Sequence, residues 1–141
     1  MSKGFSLIEA VVSLFILAGL IYIASVSLLD LAPKYRLESA VWKVNTALNH
    51  ARYKSIFNGV SVRTKFSSAG YEFEKYDDAQ KEWKRDEWHL LEGVRIEANN
   101  CPIFHPEGTV SNMASIMVSN AWGRYKISLA ISGRIKITRL N

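Results

Sequence analysis

Apolar residues fill the first part of the chain almost without interruption. From Ala10 to Leu29 there are twenty residues without a charge, and as a helix they would extend about 30 Å, the thickness of a hydrocarbon core. This pattern predicts a membrane helix that begins almost at the N-terminus. A cleaved secretory signal normally has a shorter apolar core and a clear cleavage site after it. A plain membrane anchor is the other alternative, and it gives no role to the acid Glu9 at the head of the run.

The spacing of apolar residues changes after Pro33. They now recur at intervals of four, three, four and three, which is typical of one face of an amphipathic helix. The residues in this series are Leu37, Val41, Val44, Leu48 and Ala51. Asn58-Gly59 is a typical C-terminal stop. We therefore expect one long helix that runs from the membrane to about Phe57, with its second half lying on a globular domain.

Beyond Gly59 the pattern is that of short β-strands. Apolar and polar residues alternate from Tyr71 to Tyr76, the polar stretch from Asp77 to Lys84 predicts a hairpin connection, and Ser132-Gly133 predicts a second hairpin. Strands are expected near residues 60–66, 71–76, 88–91, 94–96, 103–104, 115–118, 125–131 and 134–137. A long N-terminal helix followed only by strands predicts an α+β fold, in which the helix packs on a small antiparallel β-sheet.

Composition gives little sign of an enzyme. The chain has 141 residues, a net charge of +5 and a single cysteine, Cys101, so an internal disulfide is excluded. The three histidines have no metal-ligand spacing with one another or with the cysteine. Neither a phosphate-binding glycine loop nor a nucleophile elbow is present. We expect no catalytic residues, no metal and no cofactor.

Acids are concentrated in one part of the predicted sheet. Between Glu72 and Glu92 there are eight acids and four bases, and the pattern is typical of a solvated face or of a partner surface. Among the four tryptophans, Trp83 lies between charged neighbours. It is therefore expected to be the most exposed of them, since aromatic residues on strands are usually buried.

Bases are concentrated at the C-terminus. After Glu107 no acid occurs. The stretch carries a local charge of +5 from Arg124, Lys126, Arg134, Lys136 and Arg139. Such a cluster on one surface binds DNA by neutralising phosphates, with an affinity that falls as salt rises. The alternative is a basic hairpin that is merely solvated.

The N-terminal residues Gly4-Phe5-Ser6-Leu7-Ile8-Glu9 resemble the processing site of type IV prepilins and type II secretion pseudopilins. The resemblance implies that a prepilin peptidase cuts after Gly4 and that Phe5 becomes an N-methylated N-terminus. It also implies that Glu9 acts in filament assembly, by pairing with the N-terminal ammonium of a neighbouring subunit. The corresponding segments are a leader (1–4), a transmembrane helix (5–31), an amphipathic half of the helix (32–59) and a β-rich head (60–141).

The rest of the chain is similar to the H-type minor pseudopilin and FimT minor pilin family (GspH/FimT). Three stretches carry the similarity: Ala51-Arg52-Tyr53-Lys54-Ser55-Ile56-Phe57-Asn58-Gly59, Phe104-His105-Pro106-Glu107-Gly108 and Gly133-Arg134-Ile135-Lys136. The resemblance implies a single-pass protein of the inner membrane with its head in the periplasm. The implied partners are the prepilin peptidase, other minor and major pilins or pseudopilins, the inner-membrane assembly platform and membrane lipid.

Two functions follow from this resemblance. The first is an H-type minor pseudopilin of a type II secretion system. The second is a FimT-like minor pilin of a type IV pilus that binds DNA in natural transformation. For DNA binding, some FimT-like pilins use a terminal Gly-Arg-x-Arg motif, whereas Lys136 stands in the last place here, and lysine lacks the bidentate fork of arginine. A membrane-anchored hydrolase is disfavoured because no catalytic constellation is present.

Overall fold

The computed structural model describes residues 6–140 and, for residues 26–30, the backbone alone. One helix, α1, covers Leu7–Asn58. It is followed by the strands β1 (Val62–Ser67), β2 (Gly70–Asp77), β3 (Glu82–Leu90), β4 (Arg95–Ala98), β5 (Ile103–Phe104), β6 (Val110–Ser111), β7 (Ser115–Asn120), β8 (Gly123–Leu129) and β9 (Ile135–Leu140). The chain divides into two units, one ending at Ala32 and the other beginning at Pro33.

In the first unit, α1 is an apolar helix whose described side chains are almost all exposed. The stretch Leu7–Ser25 has 19 residues and a mean hydropathy of 2.4, which is long and apolar enough to span a membrane. The predicted single helix is confirmed, because α1 continues through Pro33 and ends at Asn58. Its second half belongs to the second unit and supplies one side of the core.

The strands form two antiparallel sheets, where the sequence had led us to expect one. The five-stranded sheet has the order β3-β2-β1-β5-β6, and the four-stranded sheet has the order β4-β7-β8-β9. The hairpins predicted between β2 and β3 and between β8 and β9 are present. The split arises because β4 pairs with the distant β7, whereas β5 returns to pair with β1. The short strand β6 was not predicted.

A single core joins the helix to the strands. Every residue of the predicted helical series, from Leu37 to Ala51, is buried, so the amphipathic interpretation is confirmed. The same face also buries Ala40, Ala47 and Ser55, whose small side chains add little to a hydrophobic pattern. The Ser55 hydroxyl donates a hydrogen bond of 2.9 Å to the carbonyl of Phe104 in β5. This bond satisfies a buried polar group and fixes the helix against the five-stranded sheet.

Candidate functional site

The predicted assembly residue Glu9 lies in the first turn of α1, at the head of the apolar stretch. Its side chain is exposed, and its backbone carbonyl accepts a hydrogen bond of 2.7 Å from the Ser13 hydroxyl. Within residues 6–140 the Glu9 carboxylate has no ion pair or hydrogen bond. Gly4 and Phe5, the predicted processing residues, lie outside the described residues. Among the described residues the Glu9 carboxylate is therefore unpaired, at the start of a helix suited to a membrane.

The predicted basic cluster maps to the hairpin of β8 and β9. Arg124 lies opposite Leu140, Lys126 opposite Thr138, and Lys136 opposite Ser128. Because side chains alternate along a strand and directly opposed residues share a face, these three bases lie on one face. The opposite face of β8 carries the buried Ile127 and Leu129. The bases therefore occupy the face of the four-stranded sheet that points away from the core.

Arg134 and Arg139 lie differently from one another. Arg134 is exposed and precedes β9 by one residue, two positions before Lys136. Arg139 lies opposite Tyr125 and thus on the core side of the sheet. Its guanidinium lies 4.2 Å from the ring centre of Trp122, in cation–π geometry. We use the name basic face for Arg124, Lys126, Arg134 and Lys136, and Arg139 is not part of it.

The charges of the basic face are uncompensated by acids in the described part of the chain. None of its four residues forms an ion pair there. The acid Glu97 on β4 lies on the same face, because its partner Met117 is itself opposite Lys126. Glu97 is bound to Arg95 at 2.9 Å. The surface as a whole is therefore positive and able to attract an anionic partner.

The three stretches that resemble the minor pseudopilins meet around Arg52. A Cβ placed on Gly133 would lie 2.7 Å from the Nη1 atom of Arg52, and one placed on Gly108 would lie 3.6 Å from Nη2. Both glycines have a positive φ, +78° and +85°, a region that side chains other than glycine rarely adopt. The Arg52 side chain thus packs against two glycine turns, and one of them holds Arg134 at the tip of the last hairpin.

The acidic stretch is not simply a solvated face. Glu72 and Glu74 are only 6% and 7% exposed. Glu74 accepts a hydrogen bond of 2.6 Å from Arg63 Nε, and its other oxygen lies 3.2 Å from Lys65 Nζ. Glu72 pairs with Arg85 Nε at 2.7 Å. For these two acids the prediction of a solvated face is wrong, because long basic side chains from neighbouring strands cover them.

The prediction that Trp83 is the most exposed tryptophan is also wrong. The Arg63 guanidinium lies 4.4 Å from its ring centre and covers it. Tyr76 packs edge-on against it at 5.2 Å. The tryptophans with the most exposed surface are Trp42, at 64%, and Trp88, at 48%. Sequence neighbours could not show this, since Arg63 comes from a strand twenty residues earlier.

Two other acids bind the end of the helix to β3. Lys54 Nζ pairs with Asp86 and, at 3.1 Å, with Glu87, and Lys75 Nζ lies 3.2 Å from Asp86. The hydrogen bond from Lys54 lowers the pKa of Glu87. Burial by itself would raise the pKa of Asp86, but the hydrogen bonds from Lys54 and Lys75 outweigh it and hold that pKa below its usual value. Both carboxylates are therefore kept charged on folding.

The histidines have partners that suit structural roles. His105 lies between two serines, with Nδ1 3.2 Å from the Ser61 hydroxyl and Nε2 2.8 Å from the Ser111 hydroxyl. His89 lies 5.0 Å from the ring centre of Tyr71 and stacks on it. Among the residues that the structure describes, no three of His, Cys, Asp or Glu lie close enough to hold a metal ion.

No family model and no curated protein sequence matches the chain. Its fold is similar to that of two solved structures of EpsH, a minor pseudopilin from the type 2 secretion system of Vibrio cholerae. One has a TM-score of 0.62 at 11% identity, over 74% of this chain and 97% of the solved EpsH chain. The other has a TM-score of 0.64 at 10% identity, over 77% and 96%. The α+β fold predicted from the sequence is confirmed, and it is the pilin-like fold of the minor pseudopilins.

Proposed function

We propose that this chain is an H-type minor pseudopilin of a type II secretion system, a structural subunit of a pseudopilus that is anchored in the inner membrane. The observation that carries the proposal is the similarity of fold, which extends over nearly the whole of the two solved EpsH chains. A helix suited to a membrane precedes the head, as a membrane-anchored subunit needs. The function is structural, so no residue is assigned to catalysis.

The N-terminal residues give the proposal a mechanism. The prepilin peptidase removes residues 1–4, which leaves the ammonium of Phe5 four positions before Glu9. An isolated carboxylate is costly in a bilayer. When the apolar helices of several subunits pack together, Glu9 of one subunit pairs with the ammonium of its neighbour. Such pairs in low dielectric fix the register between helices, so each arriving subunit is placed at a defined step along the filament.

The proposed topology follows from the same segments. The transmembrane part (5–31) crosses the inner membrane once, and the amphipathic half of the helix (32–59) and the head (60–141) lie in the periplasm. In this arrangement the apolar helix contacts lipid before assembly and other pseudopilins afterwards. The assembly platform in the inner membrane extracts the subunit into the filament.

Processing is tested by mass spectrometry of the protein from native membranes. We expect an N-terminal peptide that begins at Phe5 and carries a methyl group. The control is a strain without the peptidase, in which the leader should remain. A terminus at Met1 or Ser2 in cells with an active peptidase would contradict the proposal.

The role of Glu9 is tested by the variants Glu9→Leu and Glu9→Asp. Replacement by leucine makes the helix more apolar, so membrane insertion should be unchanged. Incorporation into the filament should fall at least tenfold, because the partner of the ammonium is lost. Replacement by aspartate keeps the charge and should retain more incorporation than leucine. Equal incorporation of Glu9→Leu and the parent would show that the pairing is wrong.

The basic face favours a second candidate, a FimT-like minor pilin that binds DNA for natural transformation. Its four bases are unpaired within the described residues and share one surface, which suits contact with phosphates. The full chain in detergent micelles should then bind duplex DNA without sequence preference, more weakly as salt rises. Anisotropy titrations at low and moderate salt measure this binding.

The matched variants for DNA binding differ only in where two charges are lost. Arg134→Gln with Lys136→Gln should weaken binding and reduce the salt slope by about two. Lys43→Gln with Lys81→Gln removes two exposed charges that lie outside the four-stranded sheet and should have a smaller effect. If no binding occurs even at low salt, the DNA function is wrong and the pseudopilus function stands alone.

A further inference from the structure

Strand β3 forms an open edge of the five-stranded sheet. It pairs with β2 on one side, and within residues 6–140 no strand pairs with its other side. Most of its nine residues, Glu82–Leu90, are exposed. An edge strand of this length presents a row of backbone donors and acceptors that can pair with a further strand. The side chains on the edge decide which strand it accepts.

A bulge gives β3 an unusual symmetry. Its register with β2 shifts at Asp86, which inserts one extra residue into the strand. As a result Trp83 and Trp88, five residues apart, face residues of β2 that are four apart and so share a face. Lys84 and Glu87, three apart, face residues of β2 that are two apart and share the other face. Without the bulge each of these pairs would lie on opposite faces.

We propose that β3 pairs with β3 of a second copy of this chain, antiparallel and about a two-fold axis next to Asp86. Because of the bulge, the two residues of each opposed pair lie on the same face of the sheet, except at the centre of the alignment. The opposed residues are Trp83 and Trp88, Lys84 and Glu87, and Glu82 and His89, each pair occurring twice. Aromatic pairs and opposite charges directly across a ladder are the favourable combinations in an antiparallel sheet. The side-chain pattern of β3 is therefore self-complementary in this antiparallel alignment.

The charge order also excludes the neighbouring registers. A shift of two residues is the smallest that keeps each side chain on its face. In one direction it places Glu82 opposite Glu87, which are like charges, and in the other it places Lys84 opposite His89, so that Lys84 loses its complementary partner Glu87. Like charges opposite each other are destabilising. Both shifts also remove the contact between the two tryptophans, so a single register is favoured.

The present partners of these charges do not prevent pairing. Lys84 binds Asp77 at 2.6 Å and Glu87 binds Lys54 at 3.1 Å, each pair with at least one well-exposed side chain. Surface ion pairs of this kind contribute little, and an added strand can share their charges. Pairing would also cover Trp88, which is 48% exposed.

The interface goes beyond the proposed function. A two-fold interface is closed, because each copy offers the same surface to the other. A filament, in contrast, grows through head-to-tail contacts that stay open. Pairing through β3 would thus hold two subunits together in a unit that is distinct from the helical contacts of a pseudopilus.

Cysteine cross-linking of the full chain in membranes tests the register. In a Cys101→Ser background, a copy with Lys84→Cys is expressed together with a longer tagged copy with Glu87→Cys. Opposed residues of antiparallel strands have Cα atoms about 4.5–5.5 Å apart, which suits a disulfide. The control replaces Glu87→Cys by Glu82→Cys, which the alignment places several residues away. We expect at least tenfold more cross-linked heterodimer in the first pair than in the control. Equal yields, or no cross-link in either pair, would overturn the proposal.

Charge reversal supplies a second measurement on the full chain in detergent micelles, with the dimer fraction determined by light scattering. Lys84→Glu and Glu87→Lys should each lower the dimer fraction at least threefold. The double variant should restore it, because the opposed charges are complementary again. Within one chain both exchanged residues still face the like charges of Asp77 and Lys54, so recovery reports pairing between copies. A double variant that dimerises no better than the single ones would refute the interface.

Discussion

Gly133 provides a direct test of how the last hairpin is held in place. The change Gly133→Ala puts a Cβ on a residue with φ of +78°, which costs about 1–2 kcal/mol for an L-residue. The lower entropy of the unfolded chain offsets about 0.4–1 kcal/mol of this. The new Cβ would also lie 2.7 Å from Arg52 Nη1, so the guanidinium at the end of this flexible side chain must move, at a further cost of about 0.5 kcal/mol. We expect a net loss of about 1–1.5 kcal/mol in the free energy of unfolding.

The matched control is Gly59→Ala. Gly59 has a similar φ of +65°, and a Cβ there would meet nothing within 4 Å, so the loss should be only about 0.5–1 kcal/mol. Thermal unfolding in detergent micelles, followed by tryptophan fluorescence, measures both, because all four tryptophans lie after Pro33. At about 4 °C per kcal/mol, the expected falls in Tm are about 4–6 °C for Gly133→Ala and about 2–4 °C for the control.

A third variant isolates the contact with the helix. In an Arg52→Ala background, Gly133→Ala should cost no more than Gly59→Ala does, because no guanidinium lies in the way. An unchanged cost of Gly133→Ala in that background, or equal losses for the two glycines in the parent, would refute the proposed packing of Arg52 on the hairpin.

Three further predictions concern the head. A fragment of residues 34–141 should be soluble and unfold cooperatively, with helix and strand in its circular dichroism, because the second unit begins at Pro33; aggregation would contradict this boundary. The folded pKa values of Asp86 and Glu87 lie below their ordinary 3.8 and 4.5, so their contribution is complete above about pH 5 and is lost as pH falls through the folded values. The Tm of the parent should therefore fall more steeply below pH 5 than that of Lys54→Met, and parallel curves would exclude this cause. Glu74→Gln should lower stability by about 1–3 kcal/mol in urea unfolding, since a buried charged acceptor is lost, whereas a change below about 0.5 kcal/mol would show that its ion pairs contribute little.

The sequence predicted the helix well because helical periodicity is a local signal. Every residue in the series from Leu37 to Ala51 is buried, since a stripe with a spacing of three and four can be read without knowing what covers it. Ala47 and Ser55 on the same stripe were missed, because a small or polar side chain gives no hydrophobic signal. Ser55 can be buried because the Phe104 carbonyl accepts a hydrogen bond from its hydroxyl.

The sheets were predicted less well because their order depends on distant pairings. A hairpin such as that of β8 and β9 joins strands that are adjacent in the sequence, and its turn residues predict it. The pairing of β1 with β5 joins strands about forty residues apart, and no local pattern encodes it. The same limit applies to the candidate sites. The basic face was predicted from composition, but the register alone separates Arg139 from its other members.

The buried helix face from Leu37 to Ala51 is synthesised before the strands that pack on it, and this order affects the folding of the new chain. Leu48 and its neighbours share one core with Ile127 and Leu129, which are made about 80 residues later. At roughly 5–20 residues per second this interval is about 4–16 s. Throughout this interval the nascent chain exposes part of the apolar face of the helix, because the last strands that pack on it have not yet been made. Such exposed apolar surfaces favour aggregation. A ribosome that stalls before β8 would therefore leave a product with an open core, so the last two strands decide whether the chain leaves synthesis as a folded head.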